Sequence, residues 1–315
     1  MKLSVFQKSV TATVIAAVVV MGVAGCNRVS TTGAGTPPKI VLALSTLNNP
    51  FFIELRDGAV AEAKKKHVDL VVVDAQNDSA TQANQLATAL SGSTKAVIVN
   101  PVDSDAAAAP VTALNKAKIP VIAVDRTVSG AKVTSFIASD NVAGGRQAAK
   151  NLAASIGEKG NVLVLQGVAG TSATRDRGKG FAEGIKAYPQ IVVVGEQTAN
   201  FDRATAHDVT TNLLQAHPGV SGIFAENDEM ALGAIQALGS RAGTSVMVAG
   251  FDGTDNGLTA IKAGTLTSTI AQQPAQLGAL AVDQALDAVT GKKGSPIVAV
   301  AVVSVTTSNV SQYIK

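Results

Sequence analysis

Short apolar runs alternate with helix-like segments along most of the chain, and this alternation restricts the fold more than any other feature of the sequence. Most of the runs lack a regular polar alternation, as expected of strands that are covered on both faces of a sheet. Strands that alternate with helices are typical of βαβ units and parallel sheets. The sequence therefore predicts an α/β fold, with strands at 40–44, 70–73, 96–99, 121–124, 136–138, 162–165, 191–194, 223–225, 246–249 and 266–271.

The loop after the first of these runs carries two adjacent aromatic residues beside two asparagines. Residues 45–52 read STLNNPFF, and Pro50 stiffens the start of the following helix. Polar loops between a strand and a helix are where α/β proteins place their ligands. Phe51 and Phe52 therefore offer apolar faces beside amide groups, which suits a small molecule such as a sugar. The alternative is a capped helix whose first turn inserts both rings into the core.

Polar and charged side chains follow several other predicted strands. Many of them, such as Asp78 or Ser79, Asp103 or Ser104, and Asp140 or Asn141, have a simpler explanation as helix caps. Capping does not account for an arginine, an unpaired phenylalanine or a glutamine at a strand end. The remaining set combines hydrogen-bond donors with acceptors, as a sugar hydroxyl requires because it does both. It comprises Asn49, Asp125, Arg126, Arg177, Asn227, Asp252 and Gln272.

The N-terminus has the pattern of a secretion signal. Lys2 and Lys8 precede an apolar stretch, 10–24, that is short for a membrane span. Small residues directly before Cys26 resemble the lipobox of bacterial lipoproteins, in which the cysteine carries the lipid. We expect a lipoprotein signal peptide at 1–25, lipidation of Cys26 and a flexible tether at 26–38. The alternative is an ordinary secretion signal with an incidental cysteine.

Composition and motifs exclude several classes of function. Cys26 is the only cysteine of the chain, so stability has to come from an aliphatic core, for which 46% hydrophobic residues suffice in two domains. Apart from the three lysines at 64–66, no basic run follows Lys8, and a formal charge of +3 gives no case for nucleic-acid binding. The sequence has no metalloprotease, nucleophile-elbow or phosphate-loop motif and no spaced cysteine and histidine set. It therefore predicts neither an enzyme nor a bound metal or cofactor.

Motifs in the strand-end loops, taken in order, resemble one family. They are residues 45–52 (STLNNPFF), 100–105 (NPVDSD), 119–126 (IPVIAVDR), 137–141 (IASDN), 165–172 (LQGVAGTS), 224–233 (FAENDEMALG), 250–254 (GFDGT) and 269–273 (TIAQQ). Together they resemble the periplasmic sugar-binding proteins of bacterial ABC importers, in particular the D-ribose-binding members. The resemblance extends from about residue 39 to about residue 303 and is weak after Gly291.

The resemblance implies a type I periplasmic binding protein fold. This fold has two similar lobes, each with a doubly wound parallel sheet, joined by a hinge of three chain crossings. By the same resemblance the N-terminal lobe contains residues 39–139 plus 273–301, and the C-terminal lobe contains 140–272 plus 302–315.

The resemblance also implies the ligand contacts. They fall on Asn49, Phe51, Phe52, Asp125 and Arg126 in the N-terminal lobe, and on Arg177, Phe201, Asn227, Asp252 and Gln272 in the C-terminal lobe. The chain departs from the family pattern next to two of them. Glu226 stands where a glutamine is usual, and Asn200 stands where an aspartate usually precedes the phenylalanine.

The implied function is capture of a monosaccharide, D-ribose in the first place, and its delivery to the permease of an ABC importer. The implied protein is a monomer on the extracytoplasmic face of the membrane, anchored through Cys26. The alternative ligands are another pentose, a hexose of the allose or galactose type, a polyol or a furanose-like signal molecule.

Two other classes of protein share some of these features. The sugar-sensing domain of a repressor has the same fold, but it needs an N-terminal helix-turn-helix where this chain has a lipobox and a tether. A glycosidase would need an acid pair, which Asp125 and Asp252 could imitate. Their loops also carry arginine and phenylalanine in a binding pattern, and a measurement of ligand turnover separates the two classes.

Overall fold

The computed structural model describes residues 36–314. The predicted signal peptide 1–25, Cys26 and the tether up to residue 35 lie outside the described residues. The chain from Pro37 to Lys315 forms one compact unit. Within the part that the structure describes, no helix is both long and apolar enough to cross a membrane.

Strands and helices alternate along this unit as the apolar pattern predicts. The strands are β1 (Lys39–Leu44), β2 (Asp69–Asp74), β3 (Thr94–Val99), β4 (Val121–Val124), β5 (Ser135–Ser139), β6 (Lys159–Gln166), β7 (Gln190–Thr198), β8 (Val220–Ala225), β9 (Met247–Asp252), β10 (Ser268–Ala271), β11 (Ile297–Val300) and β12 (Val303–Thr306). The helices are α1 (Pro50–Lys65), α2 (Ser79–Leu90), α3 (Ala108–Lys116), α4 (Asn141–Ser155), α5 (Ser172–Ile185), α6 (Arg203–Ala216), α7 (Asp228–Leu238), α8 (Asp255–Lys262) and α9 (Pro274–Val289).

The strands form two sheets with the same order. The first sheet is β2-β1-β3-β4-β5-β11 and the second is β7-β6-β8-β9-β10-β12. We call the first sheet with α1, α2, α3 and α9 the first lobe, and the second sheet with α4 to α8 the second lobe. In both lobes the strand order reverses beside the first strand, and such a switch point is where open α/β sheets bind ligands.

The chain passes between the two lobes three times. It leaves β5 of the first sheet for α4, returns from β10 of the second sheet to α9, and passes again between β11 and β12. The predicted fold class, two similar doubly wound lobes joined by a hinge of three crossings, is confirmed. One strand differs from the parallel expectation, because β12 runs antiparallel to β10. The third crossing lacks a crossover helix, so the chain enters the second sheet from the opposite direction.

Each sheet is covered on both faces, which explains the apolar runs. In the first lobe, Leu42 points with its alternate neighbours toward α1 and α9, whereas Val41 and Ala43 point toward α2 and α3. The second lobe repeats this arrangement with Val164 in a core beneath α4 and α5, and Leu163 in a core beneath α6, α7 and α8. Burial of strand residues on both faces fixes the register, so the strand ends and their loops are held in place.

Candidate functional site

A pocket lies between the loops of the two lobes. The loops that form it follow β1 and β4 in the first lobe, and β6, β7, β8 and β9 in the second. Its lining residues are Asn49, Phe51, Phe52, Asp125, Arg126, Ala173, Arg177, Phe201, Asn227 and Asp252. The structure therefore brings nine of the ten predicted contact residues to one pocket, although they are far apart in the sequence.

The tenth residue, Gln272, does not line the pocket but holds one of its carboxylates. Its Nε2 donates a hydrogen bond of 2.6 Å to Oδ1 of Asp252. The side chain of Gln272 is buried, and its Oε1 has no hydrogen-bond partner within residues 36–314. In this arrangement Gln272 orients Asp252.

Two asparagines of the pocket are also helix caps. Oδ1 of Asn49 accepts from the backbone N–H of Phe51 at 2.9 Å, and Oδ1 of Asn227 accepts from the N–H of Met230 at 2.9 Å. Each amide oxygen therefore caps the first turn of a helix. This hydrogen bond fixes the asparagine side chain in the wall of the pocket. Capping and a place in the pocket wall, which the sequence treats as alternatives, are combined in these residues.

The phenylalanine rings likewise combine two roles. Phe51 and Phe52 are both 4% exposed and belong to the core of the first lobe, yet both line the pocket. Their rings meet edge to face, with centroids 5.1 Å apart. Phe201 lines the pocket from the second lobe, with a φ of 56° that is uncommon for a bulky residue, and the guanidinium carbon of Arg126 lies 5.3 Å from the ring centroid of Phe52 and 5.5 Å from that of Phe201. The pocket thus has apolar faces on both lobes.

Two arginines and two aspartates place four buried charges in the pocket. Nε of Arg126 lies 3.6 Å from Oδ2 of Asp125, and Nη1 of Arg177 lies 3.6 Å from Oδ1 of Asp252. Both distances are too long for good hydrogen bonds. Each pair balances its charge while keeping directed donors and acceptors available to a ligand. Nε of Arg126 also has no hydrogen-bond partner among the described residues.

Burial shifts the ionisation of Asp125, Asp252 and Arg126 toward their neutral forms. Burial raises the pKa of Asp125, and the positive charges of Arg126 and Arg177 oppose the rise. Burial raises the pKa of Asp252 well above its ordinary range, opposed mainly by Arg177. Burial also lowers the pKa of Arg126, opposed by Asp125. The positive charges of the arginines therefore keep the carboxylates able to ionise although both are buried.

Residues outside the pocket fix the charged side chains, and the sequence alone does not reveal this role. Arg177 donates from Nε to Oδ1 of Asn141 at 2.9 Å, and its guanidinium lies 3.9 Å from the ring centroid of Phe251. Asn100 donates from Nδ2 to Oδ2 of Asp125 at 3.0 Å. Asn100 stands in a motif that the sequence singled out, but its role depends on a distance that only the fold sets. Ala173 lines the pocket itself, and the sequence gives no sign of this because its side chain has no polar group.

Both pocket aspartates have unusual backbone conformations. Asp125 has a φ of 63° and Asp252 a φ of 125°, in the left-handed region that residues with a Cβ rarely adopt. Such conformations persist where the surroundings determine them, and they concentrate at functional sites. Here Asp228 secures the Asp252 loop, because its Oδ2 accepts from the N–H of Thr254 at 2.8 Å and its Oδ1 from the hydroxyl of Thr269 at 2.7 Å.

Comparisons with known proteins indicate one family for this chain. A family profile for the periplasmic binding protein domain matches residues 40–293. The ribose import binding protein RbsB of Salmonella typhimurium is 48% identical over 254 residues, which are 81% of this chain and 86% of that protein. The ribose import binding protein RbsB of Bacillus subtilis is 44% identical over 254 residues, 81% of this chain and 82% of that protein.

Among solved structures, the fold is similar to a periplasmic solute-binding protein of an ABC transporter from Actinobacillus succinogenes, solved with bound D-allose. The two share 35% identity with a TM-score of 0.82, over 88% of this chain and 100% of the other. The profile and the relatives each cover most of the chain. The chain therefore belongs to the periplasmic binding protein family.

Proposed function

We propose that the chain captures a monosaccharide between its two lobes and delivers it to the permease of an ABC importer. Membership of the periplasmic binding protein family makes it an extracytoplasmic protein that binds a transported substrate. The observation that carries the choice of a sugar is the pocket itself, which is lined by phenylalanine rings from both lobes and by two charged pairs. Such a pocket offers apolar contact to the C–H faces of a sugar ring and donors and acceptors to its hydroxyls.

Among monosaccharides, D-ribose is our first choice. The identities of 48% and 44% with two ribose import binding proteins support it. A hexose is the main alternative, since a similar structure at 35% identity holds D-allose. Other pentoses, polyols and furanose-like molecules complete the set of candidates. The proposed contact residues are the predicted ten, with Gln272 acting through Asp252.

Calorimetric titration of residues 37–315 with a panel of pentoses, hexoses and polyols tests this proposal. We expect the tightest binding for D-ribose, with a dissociation constant in the micromolar range or below, which a ligand of about ten heavy atoms permits. Asp252→Asn weakens binding, whereas Asp208→Asn at an exposed position serves as the control. Clear binding of a hexose or a polyol with no heat from any pentose contradicts ribose as the ligand. Chemical conversion of the bound sugar contradicts the further proposal that the protein is not an enzyme.

We further propose that the two lobes are the moving bodies and that they close on the sugar as a monomer. Their proposed limits are 39–139 plus 273–301 and 140–272 plus 302–315. The sheet to which each strand belongs supports these limits. Contacts from both lobes make the affinity differ between open and closed forms, and this difference drives closure.

Anchoring through a lipid on Cys26 is part of the same proposal. The lipobox-like residues before Cys26 support it. We expect Cys26→Ser to release the protein from membranes while its sugar affinity stays unchanged. Fractionation of cells that express either form measures this, and full retention of the variant in the membrane fraction contradicts the lipid anchor.

A further inference from the structure

Glu226 places a carboxyl group directly behind the wall of the pocket. Its side chain is 0% exposed and stands in the loop between β8 and α7. Oε2 accepts one hydrogen bond, from the backbone N–H of Gly167 at 2.8 Å. Oε1 is buried and has no hydrogen-bond partner in the described part of the chain. Burial of a charged carboxylate with a single hydrogen bond is unfavourable in free energy, so the neutral acid is favoured.

The groups that surround the carboxyl do not provide a matching charge. On α5, a methyl group added to Gly178 would lie 3.0 Å from Oε1, so this helix faces the carboxyl with backbone. Arg177 on the same helix is the neighbouring cation, and Glu196 on β7 adds a negative charge. Burial raises the pKa of Glu226 to about 8, opposed by the Gly167 hydrogen bond and by Arg177. Glu226 therefore holds its proton at neutral pH and releases it in mildly alkaline solution.

The first link from Glu226 to the pocket runs through Gly167. The backbone N–H of Gly167 is fixed by Glu226, and the Cα of Gly167 packs on the ring of Phe201 so closely that a Cβ there would overlap the ring. Phe201 and the preceding Asn200 both have left-handed backbones, with φ of 56° and 57°. The ring of Phe201 is therefore held by its packing, and the position of Gly167 is part of that packing.

The second link runs through Arg177. Its Nη1 donates a hydrogen bond of 2.6 Å to the backbone carbonyl of Glu226, and the same nitrogen faces Asp252 across 3.6 Å. An ionised Glu226 would place a negative charge beside this guanidinium, where little water screens it. The new carboxylate would compete with Asp252 and the ligand for Arg177.

We propose that Glu226 is a positioning residue of the ligand pocket: its side chain holds Gly167 against the ring of Phe201, and while the carboxyl is neutral it leaves Arg177 to the ligand, so that loss of its proton draws Arg177 away and weakens ligand binding. This inference rests on the proposed function, because it concerns the affinity of the same pocket. It sets Glu226 apart from the pocket residues, which contact the ligand directly.

Sugar affinity as a function of pH tests the proposal. For the full-length chain titrated with D-ribose between about pH 6 and pH 9.5, we expect the affinity to fall by about tenfold or more, with a midpoint near 8. Glu226→Gln keeps the shape and the hydrogen-bonding capacity of the side chain but cannot ionise. The affinity of this variant for D-ribose therefore stays constant in the alkaline part of the pH range. Glu196→Gln removes a nearby exposed carboxylate and keeps the fall. A Glu226→Gln profile that falls as the wild-type profile does overturns the proposal.

A ligand-free measurement keeps this proposal separable from the proposed function. In protein with ¹³C-labelled phenylalanine, the ring signals of Phe201 are identified by their loss in Phe201→Leu. We expect these signals to shift with a midpoint near pH 8 in the wild type and to stay constant in Glu226→Gln. Identical ring shifts in both proteins overturn the positioning role even if the sugar binds. A wild type that binds no sugar overturns the proposed function, and the ring signals still decide the role of Glu226.

Discussion

The guanidinium of Arg177 is held on several sides by its own lobe. Asn141 and the carbonyl of Glu226 accept its hydrogen bonds, and the ring of Phe251 lies against its face. Only 3% of the residue is exposed. Arginine fits this place because its planar fork can bond in several directions at once and can stack on a ring. The residue is therefore part of the fold of the second lobe as well as of the pocket.

We expect Arg177→Ala to weaken sugar binding by about one to two decades, because a charge-assisted partner of a buried hydroxyl is lost. The variant also unfolds at a lower temperature, since Asn141 and the Glu226 carbonyl lose a buried partner. Arg177→Lys keeps the charge beside Asp252 but not the fork, so its affinity lies between the two. Calorimetry and thermal unfolding measure both effects. Arg146→Ala, which removes an exposed ion pair with Glu183, is the control and changes neither by much.

Glu226 gives a second prediction, for stability. Its pKa is raised from an ordinary value of 4.5 to about 8 in the folded protein. Between these values the folded state holds a proton that the unfolded state has released, so the contribution of Glu226 to stability is lost as the pH rises. We expect the unfolding temperature of Glu226→Gln to exceed that of the wild type by a margin that grows from about pH 5 to about pH 8 and then stays constant. A margin that is the same at every pH contradicts the raised pKa.

For single residues, the sequence predicts which residue types line the pocket better than it predicts their hydrogen-bond partners. The donors and acceptors at strand ends could be identified because a polar residue after an apolar run stands out. The alignment of Asn100 with Asp125, 25 positions apart, depends on adjacent strands and leaves no such mark. Ala173 lines the pocket through its position alone. Whether Phe51 belongs to the core or to the site had no answer in the sequence, since it belongs to both.

Among the elements, two helix pairs meet through glycines. In the first lobe a Cβ on Gly58 of α1 would overlap the backbone of Ala275 in α9, and a Cβ on Gly278 of α9 would overlap the carbonyl of Leu55. The second lobe repeats the arrangement with Gly180 of α5 against Val142 of α4. Glycine permits this approach because it has no side chain. Helices α1 and α5, which begin at the pocket, are thereby fixed against their neighbours.

We expect Gly58→Ala to lower stability by about 1–3 kcal/mol, the usual result of overpacking, and also to weaken sugar binding. The second effect arises because α9 would push α1 away, and the first turn of α1 carries Phe51 and Phe52. Thermal unfolding and calorimetry measure the two effects. Gly92→Ala is the matched control, because its nearest neighbour would be 3.7 Å away. Equal behaviour of the two variants contradicts the role of close helix packing.

Apolar sequence patterns predict most of the strands but not the last two. The ten strands predicted from apolar runs are all present, because most of them are short, buried on both faces and followed by polar residues; the edge strands β2 and β7 are only partly buried. Strands β11 and β12 were not predicted. Residues 297–303 are an unbroken apolar run, and Ile297 is 72% exposed at the sheet edge. Neither composition nor burial pattern marks the point at which such a run leaves one sheet for another.

At the scale of the whole molecule, the two lobes touch each other directly beside the pocket. The backbone N–H of Thr127 in the first lobe donates to Oγ of Ser172 in the second at 2.9 Å. The N–H of Ser172 donates to Oγ of Ser104 at 3.2 Å, and the N–H of Ser104 donates to the carbonyl of Gly170 at 3.2 Å. These bonds involve no pocket side chain. They stabilise the form in which the lobes are together, whichever ligand is bound.

The hydrogen bonds between the lobes should therefore raise the affinity for every ligand by the same factor. The apparent dissociation constant of a protein that must close equals the intrinsic constant divided by the closed fraction. We expect Ser172→Ala, which removes the acceptor of the Thr127 N–H, to weaken D-ribose and its closest competitor equally, by about threefold to tenfold for the loss of one such bond. Ser91→Ala, at an exposed serine bonded only within its own turn, is the control.

Small-angle scattering should show that Ser172→Ala needs more sugar to reach the compact form. A changed ratio between the two ligands would mean that Ser172 belongs to the ligand contacts, whereas wild-type scattering that stays constant at saturating sugar would mean that the lobes do not close.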